Sequence, residues 1–421
     1  MPGNLTKSLL QFVFSGSYMK RWNDKLRMME LIEIDKQAHK MIVAWLLCRL
    51  SGKDKSQDER LALEDKVIEG GIFDYLLRLV ITDIKPPVLY RIKENPEHYQ
   101  RLAAWAVTEV EPHLRPLNED CWQRFNCYFM QPGADGLAAD ILAAAHLYAS
   151  AWEFRLLHKL NDDFDSEVPE IDRSFKKQLA SYAHLPGMPE LIAAMDTRAS
   201  SHTALAGFAN LCGQLRFQKR WSQTPRIPET SVIGHMFIVA CYSYFLSLIV
   251  GACPARRVNN FFCGLFHDLP ELLTRDIISP VKKSFAGLGQ LIREYEEREL
   301  AERVLAPLQA EGHENITARL GYYLGLSVGS EFHNTIIEDG KARTVNFDAL
   351  QEIYNQNEYD PKDGEAIKVC DTLAAYIEAY TAMRNGIASD NIQQAFWRLR
   401  EQNAKTMLGA IHIGGLFTDF D

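Results

Sequence analysis

The sequence lacks the features that mark exported or disulfide-linked proteins. Its eight cysteines are scattered and none forms a Cys-x-x-Cys pair, which argues against a zinc ribbon and against a disulfide framework. The N-terminus has no basic stretch followed by an apolar core and a small-residue cleavage site, so we expect no signal peptide. Reduced thiols without a leader predict a cytoplasmic protein.

The sequence also lacks a large excess of charge of one sign. Lysine and arginine number 46 and aspartate and glutamate 55, which gives a net charge of -9 over 421 residues. This mild acidic balance argues against a nucleic-acid coat or a binder of anionic membranes. A local basic pocket for a small phosphate remains compatible with it. We therefore expect a small-molecule substrate, with no extended nucleic acid and no membrane as partner.

Alternating runs of β-branched residues are nearly absent. Apolar residues instead recur at three- and four-residue spacing, as in Leu373, Tyr376, Ile377 and Tyr380, which predicts an all-α fold. Residues 236–253 form a stretch of 18 residues without a charge, which reaches the lower length limit of a membrane span. Because this stretch contains serines, tyrosines and cysteines, a buried core helix is the favoured interpretation.

An internal repeat organises the chain. Residues 71–88 align without a gap on residues 264–281, with Gly, Phe, two Leu, Asp, Ile, Pro and Val in common. Three shorter matches follow in the same order: 20–22 with 219–221, His39 with His235 before an apolar run, and 140–144 with 371–375. Four matches in one order predict two copies of one helical domain.

The segment between the copies is rich in charge, proline and glycine over residues 162–201. At 421 residues the chain is also longer than one hydrophobic core usually supports. We therefore predict two tandem domains, residues 1–190 and residues 191–421.

The second copy carries two histidines and two aspartates among apolar helical neighbours. The pair His267-Asp268 ends an apolar run, His235 lies 32 residues before it, and Asp371 lies 103 residues after Asp268. A buried imidazole or carboxylate is costly unless it is paired or bound to metal. Singly, each would more often be a satisfied core group. Together they predict a mixed nitrogen and oxygen site for a divalent ion such as Mn, Fe, Co, Ni or Zn.

The order of these residues resembles the H…HD…D pattern of the HD phosphohydrolase superfamily. The closer likeness is to bacterial 5′-deoxynucleotidases, and it covers about residues 220–380. Its specific pieces are residues 220–221, the block 267–276 that continues to Pro-Val-Lys at 280–282, and residues 368–376. The resemblance implies a helical, metal-dependent phosphomonoesterase that acts on a nucleotide, with Mg as a further candidate metal.

The resemblance also implies a role for each matching residue. The implied metal ligands are His235, His267, Asp268 and Asp371. Glu271 would be the catalytic carboxylate that handles the attacking water, and helical spacing turns it toward the His-Asp pair. Asp276 would contact substrate or assist proton transfer. Arg220 would hold the nucleotide, Trp221 would crowd the 2′ position of the sugar, and Lys282 would reach a phosphate.

The first copy has lost this chemistry. Aligned on the second copy, its ligand positions read His39, Asp74, Tyr75 and Asp140, and Arg78 replaces the catalytic carboxylate. Tyrosine is a poor ligand for these ions at neutral pH because its pKa is near 10. We interpret this copy as degenerate. It would act as an internal partner that mimics the dimer of single-domain relatives, or as a regulatory nucleotide pocket.

Three alternatives stay open at this stage. The substrate could be a nucleoside triphosphate or another phosphorylated small molecule, because Ile233-Gly234 replaces the Ser-Glu usual in close relatives. A two-iron redox site would require extra histidines, for which His313 and His333 are the candidates. A nucleotide-sensing or scaffold protein with a vestigial site is the non-enzymatic alternative. Whether copies of the chain also form homo-oligomers is open.

Overall fold

Helices make up most of the described residues, which confirms the all-α prediction. The computed structural model describes residues 3–130, 136–162, 165–195, 203–274, 287–409 and 411–420. The helices within them are α1 (Lys7–Phe14), α2 (Glu33–Ser51), α3 (Gln57–Ile81), α4 (Pro86–Glu94), α5 (Pro96–Leu114), α6 (Glu119–Met130), α7 (Leu137–Asn161), α8 (Val168–Ser181), α9 (Met188–Ala193), α10 (Ala204–Gln214), α11 (Val232–Ile249), α12 (Pro254–Phe266), α13 (Glu271–Thr274), α14 (Leu288–Leu300), α15 (Ala306–Ala310), α16 (Glu314–Tyr323), α17 (Phe347–Glu352), α18 (Gly364–Arg384), α19 (Asp390–Asn403) and α20 (Ile413–Thr418).

Extended structure is limited to short antiparallel pairs in this part of the chain. The strands are β1 (Lys20–Arg21) with β2 (Leu31–Ile32), β3 (Thr335–Glu338) with β4 (Lys341–Thr344), and β5 (Met407–Leu408) with β6 (Ile411–His412). Asp339 and Gly340 join β3 to β4, and both have positive φ, as a tight hairpin turn requires. None of these pairs forms a layer of the core.

Two helices lie at the centre of the protein. Every residue from 33 to 48 in α2 and from 232 to 247 in α11 is buried. Helix α11 is long and apolar enough to cross a membrane, yet 89% of it is buried inside the protein. A helix that is apolar all round and covered on all sides belongs to a core. The buried core helix predicted from the uncharged stretch is therefore observed, ending at Ile249.

The two halves of the chain share one hydrophobic core. The indole of Trp45 on α2 meets the ring of Phe266 on α12 with centroids 4.8 Å apart. Tyr75 on α3 packs edge-on against Phe237 on α11 at 5.1 Å, and its hydroxyl donates a hydrogen bond to the Val13 carbonyl. Residues from both sides of the predicted boundary thus belong to a single buried cluster. The boundary near residue 190 stays a prediction.

Each half has a tryptophan with left-handed backbone just before its central helix. The φ angle is 56° at Trp22 and 55° at Trp221, a region that bulky residues rarely occupy. The Nε1 atom of Trp22 donates to Glu153 at 3.1 Å, and that of Trp221 donates to Glu378 at 2.8 Å. The two halves therefore share an uncommon local geometry.

Backbone pairing beside these tryptophans fixes the register between the two central helices. Lys20 pairs with Ile32, and Lys219 bridges Ser231, both in the antiparallel sense. The second residue of each pair is the N-cap of its helix, α2 or α11. The two helices can therefore be compared position by position from their first residue.

This register shows that the alignment of His39 with His235 is wrong. His235 is the fourth residue of α11, and the fourth residue of α2 is Lys36. Three residues along a helix are nearly one turn, so the apolar pattern fits almost as well when the alignment is shifted. Lys36 occupies the position that corresponds to the first metal ligand.

The counterpart of Asp371 also differs from the one expected. Asp371 precedes Glu378 by seven residues, and the residue seven positions before Glu153 is His146, not Asp140. Asp140 instead lies in the first turn of α7, with its side chain 47% exposed. The error has the same cause, since apolar helices rich in alanine align in several registers.

The shared core predicts that the second half cannot stand alone. Residues 195–421 expressed by themselves should be poorly soluble, because the rings that pack against Trp45 and Tyr75 would be exposed to water. Exposure of apolar surface costs a free energy of about 25 cal/mol per Å². Solubility, binding of a hydrophobic dye and melting temperature would measure this against the full chain.

Co-expression of residues 1–194 as a separate chain should restore solubility, because the same surfaces can then pack. A fragment 195–421 that is soluble and melts like the full chain would contradict the shared core.

Candidate metal centre

His235 is placed by the first turn of α11. The N-cap residue Ser231 accepts a hydrogen bond from the Gly234 amide at 3.0 Å, which fixes where the helix begins. The imidazole is fully buried, with Nε2 3.0 Å from Asp371 Oδ1. Its Nδ1 lies 3.7 Å from Glu378 Oε1. One ring nitrogen therefore faces the predicted site, and the other faces a carboxylate behind it.

The pair His267-Asp268 follows the last residue of α12. Gly264 allows this helix to approach α11 closely, because a Cβ on that glycine would lie 2.9 Å from the Ala240 backbone. The His267 Nδ1 atom is 2.8 Å from the Gly264 carbonyl and donates to it, so Nε2 is left to accept a proton or a metal ion. That Nε2 lies 3.2 Å from Asp268 Oδ2.

Asp371 completes the group from helix α18. Its Oδ1 lies 3.0 Å from His235 Nε2 and 3.9 Å from His267 Nε2. Its Oδ2 accepts a hydrogen bond from Lys368 at 2.8 Å. The structure thus brings together residues that lie up to 136 positions apart in the sequence.

The donor set fits a divalent metal ion. One atom each from His235, His267 and Asp268 lie within 4.8 Å of one another, and Asp371 adjoins both imidazoles. His267 Nε2 is buried and makes no hydrogen bond of proper geometry within the described residues. A buried nitrogen aimed at carboxylate oxygens is what a metal ion would satisfy. Two imidazoles with two carboxylates suit a borderline divalent ion.

The electrostatics of the site favour a cation. Burial lowers the pKa of His267, but Asp268 and Asp371 outweigh burial and raise it to about 9. Burial raises the pKa of both carboxyls. In Asp268, His267 and Arg220 outweigh it and lower the pKa. Lys368 and the two imidazoles likewise outweigh burial at Asp371 and lower the pKa of its carboxyl group. The carboxylates are therefore ionised, and a bound metal ion would replace the proton of the imidazole.

Arg220 and Trp221 lie directly beside the metal ligands. Arg220 Nη1 is 3.2 Å from Asp268 Oδ2, and its Nε is 3.5 Å from Glu378 Oε2. Trp221 is half-buried and anchored through its Nε1 to the same glutamate. Their proximity to a substrate and their roles in binding stay predictions.

Glu378 is a residue that the sequence analysis missed. It is fully buried and accepts hydrogen bonds from Trp221 at 2.8 Å and from the Thr230 hydroxyl at 2.6 Å. Burial raises its pKa, but Arg220 and Arg226 outweigh burial and hold the pKa well below its usual range. A charge two turns after Asp371, inside an apolar helical run, was the available signal.

The remaining predicted site residues divide into two groups. Glu271 begins the short helix α13, is 8% exposed, and its amide donates to the Asp268 carbonyl at 3.0 Å. It therefore stays close to the His-Asp pair. Asp276 and Lys282 lie outside the described residues.

The two histidines required by the redox alternative have other surroundings. His313 groups with Glu190 and Glu311. His333 is exposed, and its Nδ1 lies 3.0 Å from the Val328 carbonyl. Neither belongs to the group formed around His235.

Comparison with known proteins agrees with this centre. Residues 212–400 match the family model of the HD domain, a span that holds all four ligand positions. Over 83 residues the chain is 28% identical to 4′-phosphooxetanocin A phosphatase of Priestia megaterium, which covers 19% of this chain and 43% of that protein. No solved structure matches. Residues 212–400 are therefore similar to an HD domain, and the aligned stretch spans less than half of the length of the phosphatase that it matches.

Proposed function

We propose that the centre releases phosphate from a nucleoside 5′-monophosphate, with a preference for deoxyribose. The chain is a metal-dependent phosphohydrolase in the general sense that its HD domain implies. The contact of Arg220 with Asp268 is the observation that supports a nucleotide as the substrate. It holds a guanidinium and the adjoining Trp221 at the edge of the four candidate metal ligands. A guanidinium suits a phosphate, and an indole suits a sugar or base.

The protein residues divide the work of hydrolysis. A divalent ion, when bound by His235, His267, Asp268 and Asp371, would supply Lewis-acid chemistry that polarises a phosphoryl oxygen and lowers the pKa of a water molecule. Glu271 would accept the proton of the attacking water. Arg220 would orient the phosphate through its guanidinium.

Glu378 would act as a positioning residue in this scheme. Its carboxylate lies behind His235 and joins Arg220 and Trp221, so one buried group orients a metal ligand and both substrate-facing side chains. At 3.7 Å from Nδ1 of His235, the Glu378 carboxylate would act on the imidazole as a nearby negative charge.

The setting of the reaction is part of the proposal. All eight cysteines are free, and most are buried, which suits a reducing compartment such as the cytoplasm. The first half, residues 1–190, would serve as an internal partner in place of the second subunit of a dimer. The substrate would be a small molecule, with no extended nucleic acid and no membrane involved.

Phosphate release from a panel of substrates would test the function. The panel should hold deoxynucleoside and ribonucleoside monophosphates, nucleoside triphosphates and simple phosphate esters, each with Mn, Co, Fe, Ni, Zn or Mg. Release of pyrophosphate from triphosphates in place of phosphate from monophosphates would favour the alternative substrate class. No turnover with any metal would favour a nucleotide sensor.

Removing a ligand should remove the metal. Asp268→Ala and Asp371→Ala should each lose bound metal and turnover while the helical content persists, because each takes one carboxylate from the centre. Elemental analysis and circular dichroism would measure both effects. Asp140→Ala is the matched control, since it removes a half-exposed aspartate outside the centre. Metal content equal to wild type in both ligand variants would refute the assignment.

Glu271 should be needed for turnover but not for metal binding. Glu271→Gln keeps the shape of the side chain and removes the base, so turnover should fall about 10²–10⁴-fold with metal content unchanged. Steady-state kinetics beside elemental analysis would separate the two effects. Near-normal turnover in Glu271→Gln would exclude the role as a base.

Trp221 should set the sugar preference. A ring that excludes the 2′-hydroxyl by its bulk can favour a deoxynucleotide over a ribonucleotide by up to about 10²-fold. The wild type should therefore have a higher specificity constant for dAMP than for AMP, and Trp221→Ala should lower the ratio of the two constants. Specificity constants for both nucleotides would measure it. Trp22→Ala is a matched control, because Trp22 has the same backbone conformation and the same glutamate contact in the other half. Equal constants in wild type, unchanged by Trp221→Ala, would count against the preference.

A further inference from the structure

In the first half, a lysine and a histidine replace the first and last metal ligands. Lys36 on α2 is fully buried, and its Nζ lies 2.7 Å from Nδ1 of His146 on α7. The corresponding contact in the second half joins His235 to Asp371 at 3.0 Å. A lysine amino group therefore lies near the place where a divalent ion would be held in the HD domain.

The helix that carries the second pair of ligand positions also corresponds between the halves. A Cβ on Gly71 would lie 2.3 Å from Met41 Sδ, and a Cβ on Gly264 would lie 2.9 Å from the Ala240 backbone. Met41 and Ala240 are each the ninth residue of their central helix. Helices α3 and α12 thus approach α2 and α11 at the same position.

The residues after Gly71 add further cations. Asp74, at the position of His267, receives a hydrogen bond from Lys40 at 2.8 Å. Arg78, at the position of Glu271, lies 2.5 Å from Asp83. The catalytic carboxylate of the second half is thus replaced by a guanidinium.

Lys36 has the weakest carboxylate contact in this cluster, because Arg21, Lys40 and Arg78 each have a carboxylate partner within 2.8 Å. The Arg21 guanidinium lies 2.6 Å from the Glu33 carboxylate. Arg78 and Lys36 lie 3.7 Å and 4.0 Å from the same carboxylate. Arg21 is matched by a second carboxylate, Glu153, at 2.8 Å. Among the described residues, the one hydrogen-bond partner of Lys36 is the His146 imidazole, which carries no negative charge.

The cluster is open to solvent on the side of His146. This histidine is exposed, although Lys36 on α2 lies directly behind it and is buried. Lys36 lowers the pKa of His146 well below its usual range, and Lys40, Arg21 and Arg78 lower it further. Burial lowers the pKa of Lys36, and an anion bound beside it would favour the protonated form of its amino group. An exposed imidazole with a buried lysine directly behind it, whose nearest carboxylate oxygen lies 4.0 Å away, is where an anion would be stabilised.

We propose that this cluster binds the phosphate group of a phosphorylated small molecule, without metal and without hydrolysing it. Lys36, Lys40, Arg21 and Arg78 would supply the positive charge, and His146 would donate or accept a hydrogen bond at the opening. Arg78 in the position of Glu271 leaves no carboxylate there to activate water. The first half would thus be a ligand site that accompanies the hydrolytic centre.

Calorimetry on the full chain in EDTA tests this site apart from hydrolysis. The probes are inorganic phosphate, deoxyribose 5-phosphate and dAMP. Asp371→Ala serves as the background, so that the second-half centre is disabled. We expect binding at one site per chain in both wild type and Asp371→Ala. Similar affinity for all three probes would identify phosphate itself as the ligand, and at least tenfold tighter binding of dAMP would identify a nucleotide.

Lys36→Met should weaken binding at least tenfold. Lys25→Met is the matched control, because Lys25 is also buried but pairs with Asp165 and Glu167 away from the cluster. If Lys36→Met does not fold, Arg78→Gln on the partly exposed side of α3 provides the second variant, with the same loss expected. Binding unchanged in Lys36→Met and Arg78→Gln, or no binding by wild type in EDTA, would overturn the proposal whether or not the second half hydrolyses nucleotides.

Discussion

A polar side chain on a fully buried helix must find a partner inside the protein, and this constraint shapes both halves. Helices α2 and α11 are buried over their first sixteen residues, so neither Lys36 nor His235 can turn to bulk water. His235 meets Asp371, and Lys36 meets His146. The chemistry available to each half therefore depends on the residue that faces its central helix, which is Asp371 from α18 in the second half and His146 from α7 in the first.

The geometry around that position is the same where the chemistry differs. In both halves a tryptophan with left-handed backbone and an adjoining arginine reach a buried glutamate, Glu153 or Glu378. This arrangement holds the entry to the central helix and does not itself require a metal. A scaffold that is stable without the ion can keep its shape while the residues at the ligand positions change.

The all-α fold and the grouping of the four candidate ligands could be predicted because their signals are local. Apolar spacing marks helices, and a His-Asp pair in an apolar run is visible in the sequence itself. The register of the repeat could not be fixed, because His39 and Lys36 are almost one turn apart on a helix with uniform apolar neighbours. Glu378 was missed because its importance comes from residues far away in sequence, such as Trp221 and Thr230.

Tyr75 makes the first half intolerant of an aspartate at the position aligned with Asp268. At the position of a ligand aspartate it fills the core against Phe237, bonds the Val13 carbonyl, and leaves so little room that a Cβ on Gly16 would lie 2.1 Å from its hydroxyl oxygen. An aspartate there would leave a cavity and bury a charge at once, each costly on its own. The packing of the phenol ring therefore makes position 75 intolerant of the residue type that stands at the aligned position 268, so the two halves cannot exchange these side chains without a loss of stability.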